Sequence, residues 1–183
     1  MSAPFVYVMG PSGAGKDSVL ARARALISTS LPVAFAHRYI TRPADAGVEN
    51  HVALSEAEFE RYRALGLFVF HWSAHGFRYG IGVEADVWRR AGLVTVVSGS
   101  REHFATLDAR ALRAIPVLIT ASPASLEARL RTRGREASAG VSARLARATA
   151  IDIRPPGLIT IVNDGVLDDA AQALITLLAT PLP

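Results

Sequence analysis

Apolar positions along the chain follow two periodicities that alternate from one segment to the next. Continuous apolar runs of strand length appear as FVYVM (5–9), LVTVVSGS (93–100), IPVLITA (115–121) and LITIVND (158–164). Between them, apolar residues recur at helical spacing. This alternation predicts an α/β fold around a five-stranded parallel sheet flanked by helices. The uninterrupted runs suit central strands covered on both faces. The first strand runs into a glycine-rich loop and then a helix from about Lys16 through Ile27, and AFAHRYI (34–40) reads as a second strand. Ser55 and Glu58 have capping-box spacing and open a short helix, SEAEFERYRALG, that Gly66 closes. LFVFHW (67–72) and RYGIG (78–82) read as strands of a small lobe, and EADVWRRAG as a helix ending at Gly92. Ser122 and Pro123 supply the N-cap and first turn of another helix, ended by Gly134, and an amphipathic helix follows the last strand. One domain over 1–183 is expected, with the lobe at about 36–82 and the segment REASAG (135–140) as its mobile loop.

Composition narrows the class. With 183 residues, half of them hydrophobic and a fifth charged, the chain can bury a substantial core. It has no cysteine, which excludes disulfides, thiolate metal sites and thiol nucleophiles. No apolar run reaches membrane-spanning length and no signal-type segment opens the sequence, so a soluble cytoplasmic protein is expected. The formal charge of +4 suits an anionic partner, either nucleic acid or a small phosphorylated molecule. Of the 20 basic residues, nineteen are arginine and one, Lys16, is lysine. A lysine kept only in a glycine loop points to a place where a compact ammonium fits under phosphates and a planar guanidinium does not.

That loop is Gly10-Pro11-Ser12-Gly13-Ala14-Gly15-Lys16, set between a strand and a helix. Its backbone N–H groups can converge on phosphate oxygens, and the helix that follows adds the favourable end of its dipole. The pattern calls for a hydroxyl directly after the lysine, to coordinate Mg²⁺. Here Asp17 stands in that position and the hydroxyl comes one residue later, as Ser18. The acid expected at the end of another core strand is also missing, since LVTVV is followed by Ser98-Gly99-Ser100. Asp17 can supply the hard anionic oxygen that Mg²⁺ prefers, or it can serve only as a favourable acid in a first helical turn.

Arg129, Arg131, Arg133, Arg135, Arg144 and Arg147 crowd the text EARLRTRGREASAGVSARLARA. Such a run is either a solvated basic face or, beside a phosphate loop, a lid that neutralises a transferring phosphoryl group. Arg133 and Arg144 are taken for the lid, at about 133–142, and the other arginines stay open. On the acceptor side, His37, Arg38 and Arg42 lie on or just after the second strand, with His75, Arg78 and Tyr79 in HGFRYG. Cations and hydrogen-bond donors of this kind suit an anionic acceptor, and Arg42 before Pro43 lies near the binding edge of an α/β sheet.

With GPSGAGK, ITRP, YG, ARLRTRGRE and IVND, the chain resembles the guanylate-kinase-like nucleoside monophosphate kinases. The resemblance implies that Arg42 and Tyr79 grip an acceptor phosphate, that Arg133 and Arg144 form the lid, and that Asn163 lies near the adenine. Guanine-reading positions depart from it: Phe70 and Ser73 stand where an acid is expected, and Ile81 replaces a hydroxyl residue. GPSGAGKDS, YITRPADAGVENHVALSEAEF, HWSAHGFRYGI and ITASPASLEARLRTRGRE are similar to the ribose 1,5-bisphosphate phosphokinases of phosphonate breakdown. This closer resemblance implies transfer of the γ-phosphoryl of ATP to ribose 1,5-bisphosphate, giving 5-phosphoribosyl 1-diphosphate. It makes Glu49, Asn50 and His51 candidates for ribose hydroxyls or for orienting the cations. ATP, Mg²⁺ and a small sugar phosphate are the expected partners, without nucleic acid or membrane, and a homodimer is allowed for. The alternatives are a nucleoside monophosphate kinase and a non-catalytic guanylate-kinase-like interaction module.

Overall fold

The computed structural model describes residues 2–44, 51–132 and 153–182. Its centre is β1 (Phe5–Met9), whose five side chains are all buried. Val6 and Val8 point into one core, and Phe5, Tyr7 and Met9 into a second on the opposite face. Burial on both faces explains why the run contains no charged residue.

β1 pairs in parallel with β7 (Val94–Ser98) on one side and β8 (Ala114–Thr120) on the other. β2 (Val33–Phe35) lies outside β7, and β9 (Ile159–Val162) outside β8, so a five-stranded parallel sheet runs β2-β7-β1-β8-β9. The chain moves to one side of β1 for β2 and β7 and to the other for β8 and β9. The C-terminal end of β1 is therefore where the connectivity changes direction, the place where open α/β sheets bind ligands.

α1 (Lys16–Leu26) and α6 (Leu167–Ala179) cover the Val6/Val8 face. On α6 the buried positions are Ala170, Ala171, Leu174, Ile175 and Leu178, one stripe at helical spacing. Arg22 ties the two helices through a forked pair with Asp168, both contacts at 2.7 Å. The opposite face carries α3 (Glu84–Arg90) and α4 (Arg101–Phe104). α5 (Pro123–Thr132) follows β8, with the Ser122 hydroxyl accepting from the Ser125 N–H at 3.2 Å. Among the described residues no helix is long and apolar enough to cross a membrane.

A second sheet of four strands, β4-β3-β6-β5, builds the lobe. It comprises β3 (Arg38–Ile40), β4 (Val52–Ala53), β5 (Phe68–Ala74) and β6 (Phe77–Gly82), with α2 (Glu56–Ala64) packed on it. The capping box on α2 is present, with the Ser55 hydroxyl on the Glu58 N–H and the Glu58 carboxylate on the Ser55 N–H. Gly66 closes it at φ 68°. β5 and β6 form a hairpin with the two-residue turn His75-Gly76, both at positive φ as a primed turn requires.

The expectation of one strand over 34–40 is corrected. That text forms β2 and β3, which belong to different sheets. Ala36 N–H makes the last bond to β7, to the Val96 carbonyl at 2.9 Å, and from Arg38 the chain pairs antiparallel with β6 instead. β4 and α4 were not anticipated. Gly134 and the 135–140 loop lie outside the described residues.

Candidate active site

The glycine loop leaves β1 at Gly10, where a Cβ would collide with the Ile119 carbonyl of β8. It turns through Gly13 and Gly15 at φ 90° and 79°, a region glycine enters without strain. α1 then begins at Lys16, with Gly15 as its N-cap and no side chain closing the helix end. Its first N–H groups therefore point into the loop, as an anion-binding site requires.

Lys16 Nζ reaches Asp17 Oδ1 and Ser98 Oγ, each at 2.6 Å. Arg38 Nη2 comes to the same Asp17 oxygen at 3.3 Å. Burial pushes the Asp17 carboxyl upward, but the charges of Lys16 and Arg38, the Lys16 hydrogen bond and the more distant Arg42 bring it down to about 2. Asp17 is an anion at neutral pH, and its carboxylate is turned toward cations. Ser98 ends β7 where the missing strand acid would stand, and the lysine uses its hydroxyl as acceptor.

Among the described residues no cluster of three His, Cys, Asp or Glu side chains could cage a metal. Asp17 and the neighbouring Ser18 offer at most part of a shell of hard oxygens. That fits Mg²⁺, which typically takes one or two protein oxygens and completes its shell with nucleotide phosphates and water.

Asn163 follows β9, is 4% exposed, and donates from Nδ2 to the Ala14 carbonyl at 2.8 Å. Arg129 of α5 joins it, with Nη2 at 2.7 Å from the Asn163 carbonyl and Nη1 at 3.4 Å from Ala14 O. A Cβ at Gly15 would stand 2.6 Å from Asn163 Nδ2, so the glycine also makes room for this brace. Asn163, expected near the adenine, is thus placed against the loop backbone.

On the lobe, Arg38 and Tyr79 share a face, with the guanidinium 5.5 Å from the ring centre. Arg42 follows β3, and its carbonyl accepts from Nε2 of the buried His51 at 3.0 Å. A carbonyl only accepts, so this imidazole carries its proton on Nε2. Successive strand residues face opposite ways, and Arg78 accordingly points away from Tyr79. It pairs with Glu56 and Glu60 of α2 and lies over Phe59, so it is not gathered with Lys16 and Asp17. His75 stands exposed at the hairpin turn. Glu49, Asn50, Arg133, Arg144 and the lid at 133–142 lie outside the described residues.

Three residues that make these contacts carry little mark in the text. Ser98 stands out there only for the carboxylate it lacks, and Arg129 is one of six arginines in a single run. Trp72 stacks on Tyr79, centroids 5.4 Å apart and planes 7° apart, but the register that joins them appears only once the hairpin is folded.

Sheet order, loop and lobe define a P-loop phosphotransferase of the guanylate-kinase-like class that uses ATP. A guanylate kinase from Anaplasma phagocytophilum has the same fold at a TM-score of 0.68 and 17% identity, covering 97% of this chain and 85% of that one. No protein-family model matches the chain. A ribose 1,5-bisphosphate phosphokinase of Desulfomicrobium baculatum is 49% identical over 173 residues, covering 94% of this chain and 92% of its own. One from Burkholderia pseudomallei is 53% identical over 175 residues, covering 94% of each. The chain belongs to the ribose 1,5-bisphosphate phosphokinase family.

Proposed function

We propose that this protein transfers the γ-phosphoryl group of ATP to the 1-phosphate of ribose 1,5-bisphosphate, releasing ADP and 5-phosphoribosyl 1-diphosphate in phosphonate catabolism. The observation that carries the reading is the convergence of Lys16 from the loop and Arg38 from the lobe on one oxygen of Asp17. It brings a donor-phosphate cation and an acceptor-phosphate cation to the same point, with Arg42 close enough to act on the same carboxylate. Lys16 and the N–H groups of Gly13, Gly15 and the first turn of α1 hold the donor phosphates. Arg38, Arg42 and Tyr79 hold the acceptor. Its phosphate is already ionised at neutral pH, so no general base is needed, and the protein's work is positioning and charge neutralisation.

Mg²⁺, when bound with the nucleotide, supplies neutralisation of the transferring phosphates, and Asp17 and Ser18 are the residues that would hold it. Arg133 and Arg144 are assigned to closing over the transferring group, a role worth roughly 10³–10⁵ in rate for an arginine in related enzymes. His51 keeps Arg42 in place through its carbonyl. We place the activity in the cytoplasm, where ATP is supplied.

The test compares ribose 1,5-bisphosphate with GMP as acceptors under MgATP, following ADP release and identifying the product by ³¹P NMR. Turnover of the sugar bisphosphate is expected. Turnover of GMP alone would identify a nucleoside monophosphate kinase instead, and a chain that neither binds nor hydrolyses MgATP would be an interaction module.

A further inference from the structure

We propose that Trp72 is a positioning residue for the sugar-phosphate acceptor and that His103 is the backing that fixes it. This rests on the acceptor reading of Arg38 and Tyr79. Trp72 stacks on two rings: Tyr79 at 5.4 Å and 7°, and His103 at 4.8 Å and 19°. Beyond Tyr79 comes the Arg38 guanidinium, 5.5 Å from the ring centre, and beyond that Asp17, 3.3 Å from Arg38 Nη2. A continuous run His103, Trp72, Tyr79, Arg38 therefore reaches from α4 to the first turn of α1, through side chains of both sheets' territory.

The far end of the run is anchored. His103 Nδ1 lies 2.8 Å from the hydroxyl of Tyr7, a wholly buried residue of β1, and its backbone N–H donates to Ser100 Oγ at 3.0 Å. Gly99 keeps the path open, because a Cβ there would overlap the Tyr7 hydroxyl. The strand that carries the glycine loop and the side chain that aims the acceptor cation are thus tied through one stack. Ordinary core packing would end such a stack on apolar atoms. This one ends on a guanidinium at the reacting phosphates, so the angle of Trp72 decides where Arg38 and the Tyr79 hydroxyl point.

The test uses the full chain with Trp72→Ala, Trp72→Phe and His103→Ala, and measures KM for each substrate separately. Trp72→Ala is expected to raise KM for ribose 1,5-bisphosphate roughly tenfold, the factor set by the upper end of an aromatic-pair contact, and to leave KM for ATP unchanged. Trp72→Phe restores most of the loss, and His103→Ala shifts the same constant in the same direction. In a Trp88→Phe background the remaining tryptophan is Trp72. Its fluorescence is expected to change on titration with ribose 1,5-bisphosphate and not with ATP alone. Wild-type constants in Trp72→Ala, or an equal rise in both KM values, would overturn the proposal. Should Trp72→Ala not fold, a Trp72 signal silent to the acceptor, in protein that still turns over, overturns it equally. A wild-type enzyme inert toward ribose 1,5-bisphosphate overturns the acceptor reading with it, whereas an active wild type with unsplit constants sinks this proposal alone.

Discussion

Replacing Asp17 with asparagine keeps the side chain's shape and removes the charge on which Lys16 and Arg38 meet. Its carboxyl is lowered from 3.8 to about 2 against the opposing effect of burial. At 1.36 kcal/mol per unit, the ionised form is favoured by at most about 2.4 kcal/mol. The side chain is 37% exposed, so solvent screening reduces the contribution to about 1 kcal/mol. Asp17→Asn should then lower Tm by roughly 2–4 °C for a chain of this length. The same contribution is present in the wild type above pH 3.8 and is lost as pH falls through about 2, because the native state binds the proton less readily than the unfolded chain. The effect on metal use is expected to be larger. A contact that orients Mg²⁺ is worth about 10- to 100-fold in affinity or activity, so turnover at limiting Mg²⁺ falls by that order and excess Mg²⁺ restores part of it. ADP release across a Mg²⁺ series measures this, and calorimetric ATP titrations with and without Mg²⁺ provide a readout independent of turnover. Asp17→Asn with near wild-type turnover at limiting Mg²⁺ and Mg²⁺-dependent ATP binding intact would refute the metal role. Asp17 would then act only on the helix end, for which about 0.3–1 kcal/mol is expected.

Arg129→Ala removes two contacts to the backbone around Ala14 and Asn163. At about 1 kcal/mol per hydrogen bond, KM for ATP should rise roughly 5- to 30-fold, with KM for the acceptor unmoved; steady-state kinetics on both substrates decides it. Gly99→Ala places a methyl on the Tyr7 hydroxyl and should destabilise the fold by about 1–3 kcal/mol. Tyr7→Leu, which removes both the hydroxyl and the Cζ that would lie 2.1 Å from that methyl, should recover part of that loss in the double variant, and strictly additive losses in urea unfolding would contradict the clash.

Much of the frame was legible because its signals are local. β1, the loop and α1 occupy adjacent text, and a five-residue apolar run of mostly β-branched and aromatic residues, ended by glycine, has the length and composition of a buried strand. The capping box on α2 is complete within four residues, and the stripe on α6 within three turns. What was misjudged depends on pairing partners. The 34–40 text has the same composition whether it makes one strand or two, and only the competing edges of β7 and β6 divide it. Arg78 and Tyr79 are neighbours in the text, and strand alternation sends them to opposite faces, Arg78 toward α2 and Tyr79 toward Arg38. The His75-Gly76 turn then set which residues sit opposite each other, and so brought Trp72 to Tyr79.

By itself the sequence determined that a glycine-rich loop follows a buried strand, that Lys16 opens the helix after it, and that an aspartate stands where a hydroxyl is usual. Those properties belong to segments of fifteen residues or fewer, in which backbone sterics and hydrophobic periodicity act alone. The tertiary structure decided which charges meet that aspartate, what braces the loop from behind, and which ring stacks on Tyr79 beside Arg38. Lys16 and Ser98 are 82 positions apart, and Ala14 and Asn163 are 149 apart. Contacts over such separations exist only after the sheet has ordered its strands, because strand order and register, which no local pattern encodes, bring the ends of β1, β7 and β9 to one edge.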